Sequence, residues 1–487
     1  MLDILQRLEE AGYEATIGLE IHVQLNTESK IFSSDSNLET DEPNTHVSVI
    51  SLGHPGTLPV LNEKAVQKAV LMGLACGSDI TRHNYFDRKS YFYPDLPKGY
   101  QTTQDKTPIC VGGQIPLFGE RLEQEFVSLH HIHMEEDAGK SIHDDGPSTM
   151  IDLNRAGTPL IEMVTNPTIK GPDEAAACLQ EIRRMVRYLG IGDANMEKGE
   201  MRCDTNISIK KKGDTQLGAK VEIKNMNSFN NVRKAAIYEL ERQLDLIQKG
   251  KEIAVETRTF NPDEGKTYGM RFKETMNDYR YFPCPDLPPL QLEESFIEEL
   301  KSLAAMQPAT YRKKFAEKYQ LSDYDLGILT EEKETALYFN ALCEQVGDAK
   351  SAANWLNGPI RAVLNESNLS LQNLGLTVDR LAELINLVDS RKVVYKTAVQ
   401  QLLPELLKGD ESAANLAERL NLLVVKDTGE LQSIIQDVLV SLPNEVEAYR
   451  KGKKKLIGLF MGEVMKRSRG KASPKDVQEE LNKALTK

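Results

Sequence analysis

Two short segments concentrate the residue types that do ionic chemistry. In GLEIHVQL, Glu20 and His22 stand two residues apart within a run of β-formers, so both side chains point to one face of a strand. A carboxylate beside an imidazole can hold a divalent cation or move a proton, although the same pair also suits the solvated face of a half-buried sheet. The second segment, HHIHMEEDAGKS at residues 130–141, packs three histidines, two glutamates and an aspartate into eight positions ahead of a glycine turn. In an extended strand His131, His133 and Glu135 share one face, while Ile132, Met134 and Glu136 share the other. Spacing therefore leaves open which glutamate enters a site, and a solvated strand end is the competing reading. Two further segments add carboxylates: EKGEMRCDTNISI places Asp204 and Asn206 on one face of a strand, and VEIKNMNSF contributes Glu222 and Lys224.

Nucleotide signatures of the usual kinds are absent, with neither a GxxxxGK[ST] loop nor a GxGxxG after a strand. If ATP is used, another cradle binds it. The run FDRKSYFYPDLPKGYQTTQ, residues 86–104, sets Arg88, Lys89 and Lys98 among five aromatic residues in a loop stiffened by Pro and Gly. Cations held this way suit phosphate, and a packed aromatic surface loop is the alternative. No serine nucleophile elbow, Ser/Lys amidase arrangement or HExxH motif can be picked out. The six cysteines lie far apart with no CxxC pair, which argues for reduced thiols and against both a disulfide framework and a zinc ribbon.

A formal charge of -13 discourages a nucleic-acid partner, but the average conceals an asymmetry. From Arg450 to Lys487 there are twelve Lys or Arg against four Asp or Glu, a local balance of +8 that leaves -21 for the rest. Within it, AYRKGKKKLIGLFMGEVMKRSRGKASP interleaves nine Lys or Arg with glycines and one acid. A helix over Lys455–Lys466 flanked by basic loops would turn a positive face to a phosphate backbone, the plainer alternative being a solvated surface.

The elements that must position these residues read as an α+β protein. A length of 487 residues allows about three domains. Residues 1–295 carry β-branched and aromatic runs punctuated by Gly and Pro, the mark of a mixed β-sheet domain, with helices expected at Asp173–Leu189 and Asn231–Lys249. CPDLPPLQL, Cys284–Leu292, reads as a linker or extended crossing strand. Beyond it, residues 296–410 read as an all-helical domain, with apolar periodicity over Ser322–Val346 and Val378–Leu407 and a break marked by Pro404 and Gly409. Residues 411–487 read as a small helical tail. No apolar run reaches the length of a membrane span, and the opening MLDILQRLEEAGYEA lacks the pattern of a signal peptide, so a cytoplasmic protein is expected.

Nine segments, in order from residue 17 to 289, carry a family resemblance: IGLEIHVQL, LGHPGTLPVLN, FDRKSYFYPDLPKGYQ, HMEEDAGKS, DLNRAGTPLIEMV, RCDTNIS, EIKNMNSF, ETRTF and DYRYFPCPDLPP. The chain resembles the B subunits of glutamyl/aspartyl-tRNA amidotransferases, with the E subunit of the archaeal enzyme as a more distant relative. NWLNGP at Asn354–Pro359 and the basic tail extend the likeness over nearly the whole chain. The resemblance implies a β-rich cradle, a helical domain and a helical tail, together forming part of a glutamine-dependent carbon–nitrogen ligase. In such enzymes ATP and Mg²⁺ phosphorylate the side-chain carboxylate of Glu-tRNA(Gln) or Asp-tRNA(Asn). Ammonia from the partner amidase, the A subunit, then displaces the phosphate, and the small C subunit clamps the pair.

Carried over by position, the resemblance implies Glu20, His22, Glu136, Asp204 and Glu222 as metal and kinase-site residues, with Lys89 and then Arg88 as phosphate contacts. It assigns the tRNA body to Lys451, Lys453, Lys454, Lys455, Lys466, Arg467, Arg469 and Lys471. Three departures stand out. Where many members place paired cysteines for zinc, this chain reads SSDSNLETDEPNTHVSVIS, so no zinc is expected. RCDTN replaces the usual RCDAN, and Ser90 stands where DRKN is common. The rival readings are a non-catalytic tRNA adaptor, against which the gathered carboxylates speak, and a metal-dependent hydrolase, against which the basic tail speaks.

Overall fold

Alternation along one strand organises the first half of the molecule. In β1 (Tyr13–Gln24), Ile17, Leu19, Ile21 and Val23 are 0–1% exposed, while Glu20, His22 and Gln24 occupy the intervening positions. The strand thus lays one face on a core and turns the other to polar chemistry. The computed structural model describes residues 3–120, 122–143, 148–270, 279–424, 428–468, 472 and 474–486. Its chain divides into two compact units, Met1–Lys313 and Lys314–Lys487.

The first unit is built on a large mixed sheet. With β2 (Asp87–Ser90), β3 (Tyr100–Thr103), β4 (Phe126–Glu136), β5 (Pro159–Thr165), β6 (Met201–Lys211), β7 (Val221–Met226), β8 (Glu256–Asn261), β9 (Lys266–Gly269) and β10 (Phe282–Pro283), the main path runs β9-β8-β7-β6-β1-β5-β4-β3-β2-β10. Neighbours on this path are antiparallel except β7 and β8, whose parallel pairing is bridged by the helix Phe229–Gln248. A parallel pair needs such a crossover because the chain must return to the same end of the sheet.

That helix and a second, Pro172–Tyr188, form where the apolar spacing predicts them. Pro172 opens one at the first turn, and the Ser228 hydroxyl accepts from the Asn231 N–H to cap the other. Cys178, Leu179, Ile182, Val232, Ala236 and Leu240 from these helices join Ile17, Leu19, Ile21, Met163, Ile132 and Ile207 of the sheet in one core. Two helix glutamates are fully buried with fixed partners: Glu181 bonds Arg312, and Glu239 bonds Arg242 at 2.7 Å.

The stretch after residue 295 continues the first unit to Lys313. Ile297, Leu300 and Ala304 of helix Glu294–Ala304 enter the sheet unit's core and pack on helix Glu63–Ala75. The proline-rich stretch before it is extended rather than a loose linker: Phe282–Pro283 pairs with β2, and Leu290–Gln291 pairs with His83–Asn84.

The second unit is helical. The periodic stretch Ser322–Val346 is two helices, Asp323–Leu329 and Lys333–Leu342, because the Thr330 hydroxyl donates back to the Leu326 carbonyl (2.7 Å) as the first one ends. The stretch Val378–Leu407 is likewise interrupted, after Asp389. A separate small core near the end gathers Leu431, Ile435, Val438, Tyr449, Phe460, Val464, Val477 and Leu481. The expected basic helix is present as Ile457–Arg467, preceded by a tight turn at Lys454–Leu456. Among the described residues no helix is long and apolar enough to cross a membrane.

Candidate functional site

The polar face of the sheet brings together residues far apart in sequence. Across β1 and β6, Glu20 stands opposite Asp204 and His22 opposite Arg202. Across β1 and β5, His22 stands opposite Glu162; across β5 and β4, Glu162 stands opposite His133. The resulting contacts are close. His22 Nδ1 lies 3.0 Å from Glu135 Oε1 and 3.7 Å from Glu162 Oε2, and its Nε2 lies 3.7 Å from Glu20 Oε1. His133 Nε2 lies 3.4 Å from Glu162 Oε2 and 3.7 Å from Glu135 Oε2. Glu20, His22 and Glu162 form one group of donors, and His133, Glu135 and Glu162 another, each with its donor atoms within 4.8 Å of one another.

The electrostatics follow from crowding charges in a half-buried place. Burial opposes the imidazolium of His22, but Glu135 and Glu20 outweigh it and lift its pKa well above the ordinary value. Burial likewise works against ionised Glu135, yet His133 and His22 hold its carboxyl far below the usual range. Glu20 is held down first by its bond to His22. Burial raises Glu162, so the cluster keeps one carboxyl easier to protonate than its neighbours. Opposed shifts among groups this close, on the polar face of the sheet, make the cluster a candidate functional site.

The flanks are ordered as well. Lys224 Nζ bridges Asp204 Oδ2 (2.5 Å) and Glu222 Oε1 (3.2 Å), while the Thr257 hydroxyl donates to Glu222 at 2.9 Å. Burial raises the Asp204 pKa despite Lys224 beside it. At the other end Asp137, 4% exposed, accepts from Arg202 (2.8 Å) and Gln24 (3.2 Å) and pairs with Arg155 (3.2 Å). The turn that follows requires glycine: a Cβ on Gly139 would meet the Asp152 carbonyl oxygen at 2.8 Å.

Of the residues expected to form the site, the structure gathers Glu20, His22 and Asp204, with Glu222 joined through Lys224. Lys89 faces the same way, its ammonium close enough to help hold Glu20 ionised. Glu136 and Arg88 do not join them. Successive strand residues point to opposite faces, so Glu136 turns from the cluster and is held by Lys98 Nζ and by the Thr102 N–H at 2.8 Å. Arg88, next to Lys89, pairs with Asp286 and lies over the Tyr100 ring at 4.1 Å. Both line a separate cavity of about 360 Å³ with Lys30, Lys98 and Asp286. Glu135, its neighbour in sequence, is the glutamate that meets His22 and His133.

Sequence reasoning missed Glu162 altogether. Its signal was a lone carboxylate in the apolar strand PLIEMVT: a charge there must find partners across the sheet. In the tail, Lys451, Lys453, Lys454, Lys455, Lys466 and Arg467 are all exposed, and Lys451 pairs with Glu447 one turn back. Arg467 donates to the Ser441 hydroxyl at 2.7 Å. Arg469 and Lys471 lie outside the described residues.

The donor set fits a hard divalent cation. Carboxylate oxygens dominate, imidazole completes them, and Asn206 Oδ1, on the same strand face as Asp204, is buried without a hydrogen-bond partner. A carboxylate and imidazole cluster of this kind, with a lysine at its edge, has the chemistry of a cation- and phosphate-binding site.

Comparison with known proteins shows the family. The family described as the GatB/GatE catalytic domain matches residues 15–298, and the GatB domain matches residues 337–485. The chain is 44% identical over 484 residues to the B subunit of the aspartyl/glutamyl-tRNA(Asn/Gln) amidotransferase of Gloeothece citriformis, covering 97% of this chain and 98% of the relative. It is 45% identical over 480 residues to the protein of the same name from Azotobacter vinelandii, covering 97% and 99%. The chain belongs to the GatB family, the B subunits of tRNA amidotransferases, and its function is that of one component of such a ligase.

Proposed function

We propose that the sheet unit is the kinase half of a glutamine-dependent amidotransferase acting on Glu-tRNA(Gln), Asp-tRNA(Asn) or both. ATP phosphorylates the side-chain carboxylate of the mischarged amino acid, and ammonia displaces the phosphate to leave Gln-tRNA(Gln) or Asn-tRNA(Asn). The chemical need is plain: a carboxylate is a poor acyl donor, and an acyl phosphate supplies a leaving group. The observation that carries this reading is the convergence of Glu20, His22, Glu162, His133 and Glu135 on one sheet face.

These residues would hold Mg²⁺, which when bound offsets phosphate charge. Around it the protein's own groups divide the work. Lys89 meets a phosphate of ATP, Lys224 holds Asp204 and Glu222 in place, and Arg202 and Arg155 fix Asp137 at the cluster's end.

Ammonia comes from the amidase, the A subunit of the assembly, with the small C subunit as a clamp, in the cytoplasm and with no membrane partner. The proposed division is a cradle, a helical domain to 410 and a tail from 411; the cradle's expected end at 295 moves to 313, because Ile297 and Leu300 enter the sheet unit's core, and the tail's own core supports its independence. Lys451, Lys453, Lys454, Lys455, Lys466, Arg467, Arg469 and Lys471 would grip the tRNA backbone. No zinc site is expected, because residues 26–62 hold no cysteine.

The test is ADP release by the reconstituted complex with and without mischarged tRNA, beside a glutaminase assay of this chain alone. Release that depends on the tRNA, with no glutaminase activity in the isolated chain, is the expected pair of results. Robust glutaminase activity in the single chain would sink the assignment.

A further inference from the structure

An aromatic ladder borders the ionic cluster without taking part in its chemistry. Tyr91 and Tyr93 follow β2, and Tyr279 and Tyr281 precede β10. The two segments are tied by β-pairing of Phe282 with Arg88 and by the Ser90 N–H donating to the Tyr279 carbonyl at 2.9 Å. Ring centroids of Tyr93 and Tyr91, Tyr91 and Tyr279, and Tyr279 and Tyr281 are each 6.0 Å apart, with interplanar angles of 69°, 68° and 77°. In each edge-to-face pair the edge of one ring meets the face of the other, which leaves the end ring Tyr281, reached by solvent, with surface that a planar group can cover.

Solvent reaches this ladder: Tyr281 is 39% exposed and Tyr93 45%. The ladder also lies beside the site. Lys89 Nζ stands 5.0 Å from the Tyr279 ring centroid and 6.0 Å from that of Tyr91, while its charge acts on Glu20. Burial chiefly raises the phenols of Tyr91 and Tyr281, and both also sense the charge of Glu135. A row of half-exposed rings, with a cation between it and a carboxylate cluster, is the arrangement that stacks a base and steers its phosphate.

We propose that the ladder Tyr91, Tyr279 and Tyr281 is a stacking platform for an adenine base, with Lys89 meeting the attached phosphate or ribose. This rests on the kinase reading above, which supplies two adenine-bearing substrates, ATP and the terminal adenosine of tRNA. Both present the same planar ring, and the experiment separates them.

In the assembled complex, tRNA-dependent ADP formation is measured for wild type, Tyr281→Ala and Tyr281→Phe, varying ATP and mischarged tRNA in turn. Loss of one stacked ring is worth roughly a 5- to 100-fold rise in KM with kcat little changed, and the phenylalanine variant should stay near wild type. A rise confined to ATP assigns the platform to the nucleotide's base. A rise confined to tRNA, abolished when the terminal adenosine is replaced by cytidine, assigns it to the tRNA end. If neither KM moves, or if phenylalanine is as damaging as alanine, the platform is overturned while the kinase reading stands. Absence of tRNA-dependent ADP formation in the wild-type complex is a different failure, seen without any substitution, and overturns the kinase reading.

Discussion

The ionic cluster of the sheet and the basic surface of the tail are both built of charged residues, yet they are built in opposite ways. On the sheet, Glu20, His22, His133, Glu135, Glu162 and Asp137 each have a partner of the other sign within 4 Å, and Glu135, Asp137 and His133 are nearly buried. In the tail, Lys453, Lys455 and Lys466 are exposed and carry no ion pair among the described residues. Mutual burial fixes geometry and makes every member indispensable; exposure leaves charges that act additively and are screened by salt. Precise chemistry calls for the first arrangement, and holding a long polyanion calls for the second.

Four variants would break or sharpen that contrast. The largest effect is expected for Glu162→Gln, which removes a carboxylate shared by both donor groups: ADP formation by the complex should fall on the order of 1000-fold with tRNA affinity retained. A loss of less than about tenfold would mean that the cluster is structural. Next is Glu181→Gln, in the buried pair with Arg312 away from the cluster. Leaving that guanidinium unmatched should cost about 3 kcal/mol in denaturant unfolding, with little change in KM for either substrate.

A smaller effect is expected from Lys453→Ala, Lys454→Ala and Lys455→Ala combined. tRNA binding should weaken by about tenfold at moderate salt, and the slope of log affinity against log salt should shrink by about 2 to 3, with kcat unchanged. An unaltered slope would show that the tail does not touch the phosphates. An effect on stability alone concerns Lys30, 1% exposed, whose pKa burial lowers from 10.5 to about 8. Between those values the unfolded chain binds the proton that the folded one has lost. Stability of the wild type relative to Lys30→Met should therefore rise as pH increases from about 8 to about 10.5. A flat or falling difference in unfolding free energy would contradict the burial.

Much of this was legible in the sequence where the signal is local. Periodicity and Pro172 foretold the helix at Pro172–Tyr188, and alternation in GLEIHVQL put Glu20 and His22 on one face. Long-range pairing was not legible. Nothing local says that β5 lies between β1 and β4, and only that order sets Glu162 between His22 and His133. The choice between Glu135 and Glu136 turns on which strand face meets the helices, since parity divides the two without saying which side is the core. Residues 296–313 read as the start of a helical domain because amphipathicity does not name a partner; the sheet unit's core claims Ile297 and Leu300.

The central claim is that one face of the sheet performs the phosphoryl transfer, and two adjacent glutamates test it most directly. In the reconstituted complex, tRNA-dependent ADP formation should be lost in Glu135→Gln, whose carboxylate bonds His22, and should survive in Glu136→Gln, whose carboxylate faces Lys98 instead. Survival in Glu135→Gln together with loss in Glu136→Gln would place the chemistry on the other face and contradict the account.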